Sequence, residues 1–113
     1  MNNRICKTTW DVRRLSAVEA EVWLRVEAER VTATTELRGR LHGPRCPGVT
    51  TVEVAYSLQP LAGSADSLAA RVVIPEPNLW TEKTPFTYEG TVELWEEGQC
   101  RDRTEVSLGL KSA

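Results

Sequence analysis

Sixteen aspartates and glutamates, one histidine, three cysteines and four tryptophans are the side chains of this 113-residue chain best suited to chemistry or to gripping a ligand. Acid–base work by a carboxylate pair needs two carboxyl groups facing one another across a cleft. The acidic residues here fall mostly on outward positions of alternating segments or in turns. Glu93, Glu96 and Glu97 read as a solvated strand end and hairpin. His42 is the lone imidazole, and Cys46 follows four residues later with no nucleophile signature around either. Joined by Cys6 and Cys100, these two would make a set of zinc-ligand types. Zinc sites bring their ligands in closely spaced pairs, however, and only His42 and Cys46 are near in sequence. No catalytic residue, metal or cofactor is assigned on these grounds. His42 reads as a solvent-facing side chain beside a turn.

Two further patterns bear on partners. Arg38, Arg40, His42 and Arg45 share one face of a strand and its turn, with Glu36 and Glu53 expected alongside. That reads as a cross-strand charge ladder, since a nucleic-acid surface would be broader and interleaved with aromatics. Trp23 and Trp95 fall on outward strand positions and form the candidate contact surface. Indole faces stack on sugar rings and are enriched at domain interfaces, so a glycan and a neighbouring domain both remain open as the contact. Trp80 lies in a proline-rich stretch and reads as cover for the edge of the core, while Trp10 lies near the N-terminus.

The elements that must position these groups belong to one domain, because a chain of this length can bury a single sufficient core. A net charge of −2 gives no whole-chain argument for nucleic acid or an anionic membrane, and no run approaches a bilayer span. Three widely spaced cysteines without a framework fit free thiols in a reducing compartment. Localisation is otherwise left open.

Period-two alternation is the dominant pattern. Val18, Ala20, Val22, Leu24, Val26 and Ala28 alternate against Glu19, Glu21, Trp23, Arg25 and Glu27. A strand buries that aliphatic set on one side, whereas a helix would spread it around the cylinder. The strand is therefore expected, although Ser16 to Glu19 also spells a helix capping box. Further strands are expected over 31–41, 51–58, 68–74, 88–96 and 103–110. Their inward sets include Leu37 and Leu41; Val52, Val54, Tyr56 and Leu58; Val72 and Ile74; Val92 and Leu94; and Val106 and Leu108. Gly43 to Gly48 reads as a turn, Gln59 to Ser67 as a connection, and Glu97-Gly98-Gln99 as a hairpin tip. Six or seven strands without a convincing helix describe an all-β fold, an immunoglobulin-like antiparallel β-sandwich.

Pro75, Pro77 and Pro85 interrupt the chain just before the last two strands, with Leu79, Trp80, Phe86 and Tyr88 between and after them. The prolines exclude a helix, and the large apolar residues mark a structural loop that packs over one end of the sandwich. From Pro75 to Lys111 the sequence resembles the immunoglobulin-like domain of glycoside hydrolase family 2, which includes β-galactosidases, β-glucuronidases and β-mannosidases. The resemblance rests on Leu79-Trp80, Pro85, Phe86 and Tyr88, Asp102-Arg103, and Leu108-Gly109-Leu110-Lys111. It implies that the acid and nucleophile reside in a separate barrel and that this chain is a non-catalytic accessory module. Its partners would be neighbouring domains of a larger carbohydrate-active protein. A carbohydrate-binding module using exposed tryptophans, and a domain that self-associates through an edge strand, are the alternatives. Thr9-Trp10 to Leu15 is similar to the end of that family's preceding sugar-binding domain. Residues 1–15 are therefore set apart as an extension or seam remnant, with the sandwich over 16–113.

Overall fold

A computed structural model describes residues 3–61 and 67–111. Eight strands are present: β1 (Ile5–Leu15), β2 (Glu19–Ala28), β3 (Thr35–Arg45), β4 (Val54–Ser57), β5 (Gln59–Leu61), β6 (Ser67–Pro75), β7 (Thr87–Glu96) and β8 (Gln99–Leu108). They form two antiparallel sheets, ordered β1-β2-β6-β5 and β4-β3-β7-β8. This arrangement agrees with the immunoglobulin-like order in which the first, second, fifth and fourth strands face the third, sixth and seventh.

The alternation sets this up. Ala20, Val22, Leu24 and Val26 of β2 and Ala70, Val72 and Ile74 of β6 are buried from one sheet. Leu37, Leu41, Tyr88, Val92, Leu94, Val106 and Leu108 are buried from the other. The two inner faces meet in one continuous core. Strand, not helix, therefore holds over 19–28. The Ser16 capping pattern serves a β-turn instead, since Ser16 Oγ accepts from the Val18 and Glu19 amides at 3.2 Å. The Glu97-Gly98 hairpin tip is as expected, with φ of 49° and 75° at its two residues.

Several expectations are corrected. Ile5–Leu15 is not outside the sandwich: it pairs with β2 along its length as an edge strand. Strand β3 starts at Thr35 rather than Val31. It runs on through the expected turn at Gly43-Pro44, and the chain turns at Cys46–Val49. Val52 and Val54 are exposed: Val54 is the first residue of β4 to pair with β3, opposite Gly43, and Val52 precedes that pairing. Val18 is exposed in the β1–β2 turn. Gln59–Leu61, read as connection, pairs with β6; the rest of that connection, 62–66, lies outside the described residues.

Strands β4 and β5 are one traverse split between sheets. Val54 to Ser57 runs alongside Gly43 to Arg40, and after Leu58 the chain pairs Gln59 and Leu61 with Arg71 and Ala69. Among the described residues, eight strands thus make seven passes, an odd number. The chain enters at Asn3, beside Arg30 and Glu96, and leaves at Lys111, at the opposite end of a body 45 × 25 × 20 Å.

Candidate functional site

The two candidate contact tryptophans sit in matching settings on opposite outer faces. Glu21-Val22-Trp23 and Glu93-Leu94-Trp95 repeat one local pattern. Residues two apart on a strand share a face about 7 Å apart, so each indole can reach back to its glutamate. Trp23 Nε1 donates to Glu21 Oε2 at 3.4 Å and Trp95 Nε1 donates to Glu93 Oε1 at 3.2 Å. A neighbouring arginine pairs with each carboxylate, Arg71 with Glu21 and Arg103 with Glu93. A second arginine covers each ring: Arg13 lies 4.1 Å from the Trp23 centroid and Arg38 lies 4.0 Å from that of Trp95. The Arg71 hydrogen bond, then that of Trp23, holds the Glu21 carboxyl below its ordinary value of 4.5. Because β2 and β7 belong to different sheets, the two indoles do not form one surface.

In the basic stripe Arg38 pairs within its own strand and Arg45 pairs across to neighbouring segments, so only the second is the cross-strand contact expected. Arg38 pairs with Glu36 at 2.8 Å, and Arg45 pairs with Glu53 at 2.6 Å and Glu89 at 3.8 Å. The Glu53 contact raises the Arg45 pKa further. His42 stands in the same strand, opposite Ala55 and Glu89. Among the described residues, no three His, Cys, Asp or Glu side chains gather where a metal ion would be held. Cys6 and Cys100 are exposed free thiols and Cys46 is a buried one.

The proline loop is the other candidate. Tyr88, at the start of β7, is buried, and its hydroxyl accepts the Asn78 amide at 2.9 Å. This is the tyrosine-corner arrangement of immunoglobulin-like sandwiches. Burial pushes the Tyr88 hydroxyl above its ordinary pKa. Leu79 packs on the core, and Phe86 is half-buried. Trp80 is not a lid on the core edge. It is half-buried against the C-terminal tail: its amide donates to Leu110 O at 2.8 Å, and Lys111 Nζ lies 4.4 Å from its ring centroid. Beside it a cleft opens between Leu15 and Ala17 of the β1–β2 turn and Pro77, Leu79 and Lys111. Exposed Val18, Val49 and Val52 lie in the loops at this same end.

Sequence reasoning named Trp10 without a contact and passed over Asn3 and Asn78. Trp10 Nε1 donates to Ser107 O at 3.0 Å, fastening β1 over the free edge of β8. The Ile5 amide donates to Asp102 Oδ2 at 2.8 Å, and Asn3 bridges Arg30 and Glu96. Asp102 carried a prior signal through its place in the Asp-Arg pair, and Trp10 through the Thr9-Trp10 resemblance.

Solved structures support the architecture. A Bifidobacterium dentium β-glucuronidase, solved with coumarin-3-O-glucuronide, is 16% identical. It aligns with a TM-score of 0.67 over 96% of this chain and 18% of its own. A glycosyl hydrolase family 2 member from Bacteroides cellulosilyticus is 19% identical, with a TM-score of 0.66 over 96% of this chain and 15% of its own. A Bacteroides fragilis protein described as a putative β-galactosidase is 16% identical, with a TM-score of 0.64 over 96% of this chain and 17% of its own. The chain thus spans under a fifth of these three proteins. No curated protein matches it in sequence. The family model described as Glycosyl hydrolases family 2 matches residues 6–111, nearly the whole chain. This chain belongs to glycosyl hydrolase family 2.

Proposed function

We propose that this chain acts as a non-catalytic spacer, a rigid β-sandwich that holds one domain of a carbohydrate-active protein at a set distance from another. The odd number of passes carries this reading. It puts Asn3 and Lys111 at opposite ends of the long axis, so the domain separates whatever is joined to it. Both ends are tied down, by Asn3 and Ile5 at one and by Trp80 and Leu110 at the other. At the second end, the cleft by Lys111 and the exposed valines offer an apolar seat for an adjoining domain.

Distance measurement between spin labels tests the rigidity. Cys6 is exposed near the entry and Ala17→Cys, exposed in the turn that lines the exit cleft, supplies the other end, with Cys100 replaced by serine and buried Cys46 left unlabelled. Nine strand intervals of about 3.3 Å predict one narrow distribution near 30 Å. A broad or multimodal distribution would refute the spacer. The glycan-platform alternative is disfavoured because an arginine already lies over each indole. Titration with neutral oligosaccharides should therefore leave tryptophan emission unchanged, and a saturable blue shift would reverse that preference.

A further inference from the structure

Beyond separating its neighbours, a spacer has to control the direction in which the polypeptide leaves it. Strand β8 ends at Leu108, and nothing in β-sheet pairing constrains the residues that follow. Yet Leu110 is fully buried, and Trp80, from the proline loop, contacts three successive residues of the segment. Its amide donates to the Leu110 carbonyl at 2.8 Å. A methyl group on Gly109 would stand 3.2 Å from Trp80 Cδ1, so the tail backbone lies flush against the indole. Lys111 closes over the ring, 4.4 Å from its centroid.

The loop that presents Trp80 is itself braced. Tyr88 anchors Asn78, and the Thr81 and Thr84 side chains and backbones tie the tip together. Trp80 and Pro85 also form an isolated bridge. So much cross-bracing exceeds what is needed to join β6 to β7. The connection passes from one sheet to the other, and on the way it reaches the residues that follow β8.

We propose that the 75–88 loop is a clamp that sets the exit direction of the chain, with Trp80 as its positioning residue. This rests on the spacer reading and adds to it the device that orients the following domain. Leu110 provides the buried anchor, Gly109 the flat surface for the indole, and Lys111 the outer closure. The side chains act on residues 109–111 and leave the sheets as they are.

Backbone NMR relaxation on the unmodified chain and on Trp80→Ala tests this. In the unmodified chain, amide order parameters at Leu110 and Lys111 should match those of β7 and β8, about 0.85. In Trp80→Ala they should fall below about 0.6, while Val72 and Leu94 stay unchanged. Trp80→Phe, which keeps a ring against Gly109, should restore most of the loss. A tail as ordered in Trp80→Ala as in the unmodified chain would overturn the clamp, as would a tail already mobile before substitution. If Trp80→Ala does not fold, Gly109→Val decides instead. Its side chain pushes the indole away, and an unchanged order parameter at Lys111 would overturn the proposal. The label distances above test the spacer by itself: a narrow distribution with a mobile tail in the unmodified chain would sink only the clamp.

Discussion

Gly90→Ala should be one of the most damaging single-methyl additions in this chain. Gly90 sits in β7 opposite Leu41 of β3, inside the β4-β3-β7-β8 sheet. A Cβ there would lie 1.8 Å from the Arg40 carbonyl oxygen, 2.8 Å from its carbon and 3.0 Å from Leu41 Cα. All three are backbone atoms, so no side-chain rotation relieves the contact. Reaching even 3.0 Å from the oxygen requires a movement of about 1.2 Å between strands that carry ladder hydrogen bonds on both flanks. Overpacking of this kind costs about 3 kcal/mol, the upper end of its usual range, because the backbone must yield. With an unfolding entropy of about 2.1 cal/mol/K per residue, that is a fall of about 12 °C in Tm. Gly98→Ala is the matched comparison. Its φ is 75° and no atom lies within 4 Å of an added methyl, so only the left-handed conformation is penalised, by about 1 kcal/mol. Urea melts of both variants measure the difference. Gly90→Ala losing under about 1 kcal/mol, or no more than Gly98→Ala, would refute the close-approach argument.

Two further outcomes are expected. The Glu21 carboxyl is held below its ordinary 4.5, so it contributes stability above that pH and loses it as pH falls through the lowered folded value. The stability advantage of the unmodified chain over Glu21→Gln should therefore be present at pH 7 and shrink toward pH 3. The effect is small because the pair is solvent-screened, and an advantage that does not change with pH would contradict the Arg71 assignment. Val52→Asp and Val18→Asp should each leave the urea midpoint within about 0.5 kcal/mol of the unmodified chain, because these side chains are 86% and 73% exposed. A loss above about 2 kcal/mol at either would place it in the core after all.

The outer faces show how far local pattern reaches. Outward placement of Trp23 and Trp95 follows from alternation alone, since a one-residue slip would expose every aliphatic neighbour. What those faces touch does not follow. Arg13 reaches Trp23 from β1, and Arg38 reaches Trp95 from β3. Both contacts depend on strand order, which is a property of chain connection and not of the segment that carries the tryptophan.

From the sequence alone come the strand character of most segments, the inward set of β2, β6, β7 and β8, the Glu97-Gly98 hairpin, and the proline loop with its family pattern. Each is local, resting on period two, a turn's dihedral demands or the fixed φ of proline. Only the tertiary structure decided that Val52 hangs beyond the core, that Trp10 guards the β8 edge, and that Trp80 grips the tail. It also decided that β4 and β5 split one pass between two sheets. These depend on which surface arrives opposite a residue that is far away in the chain. Alternation determines which face is apolar; packing determines what covers it.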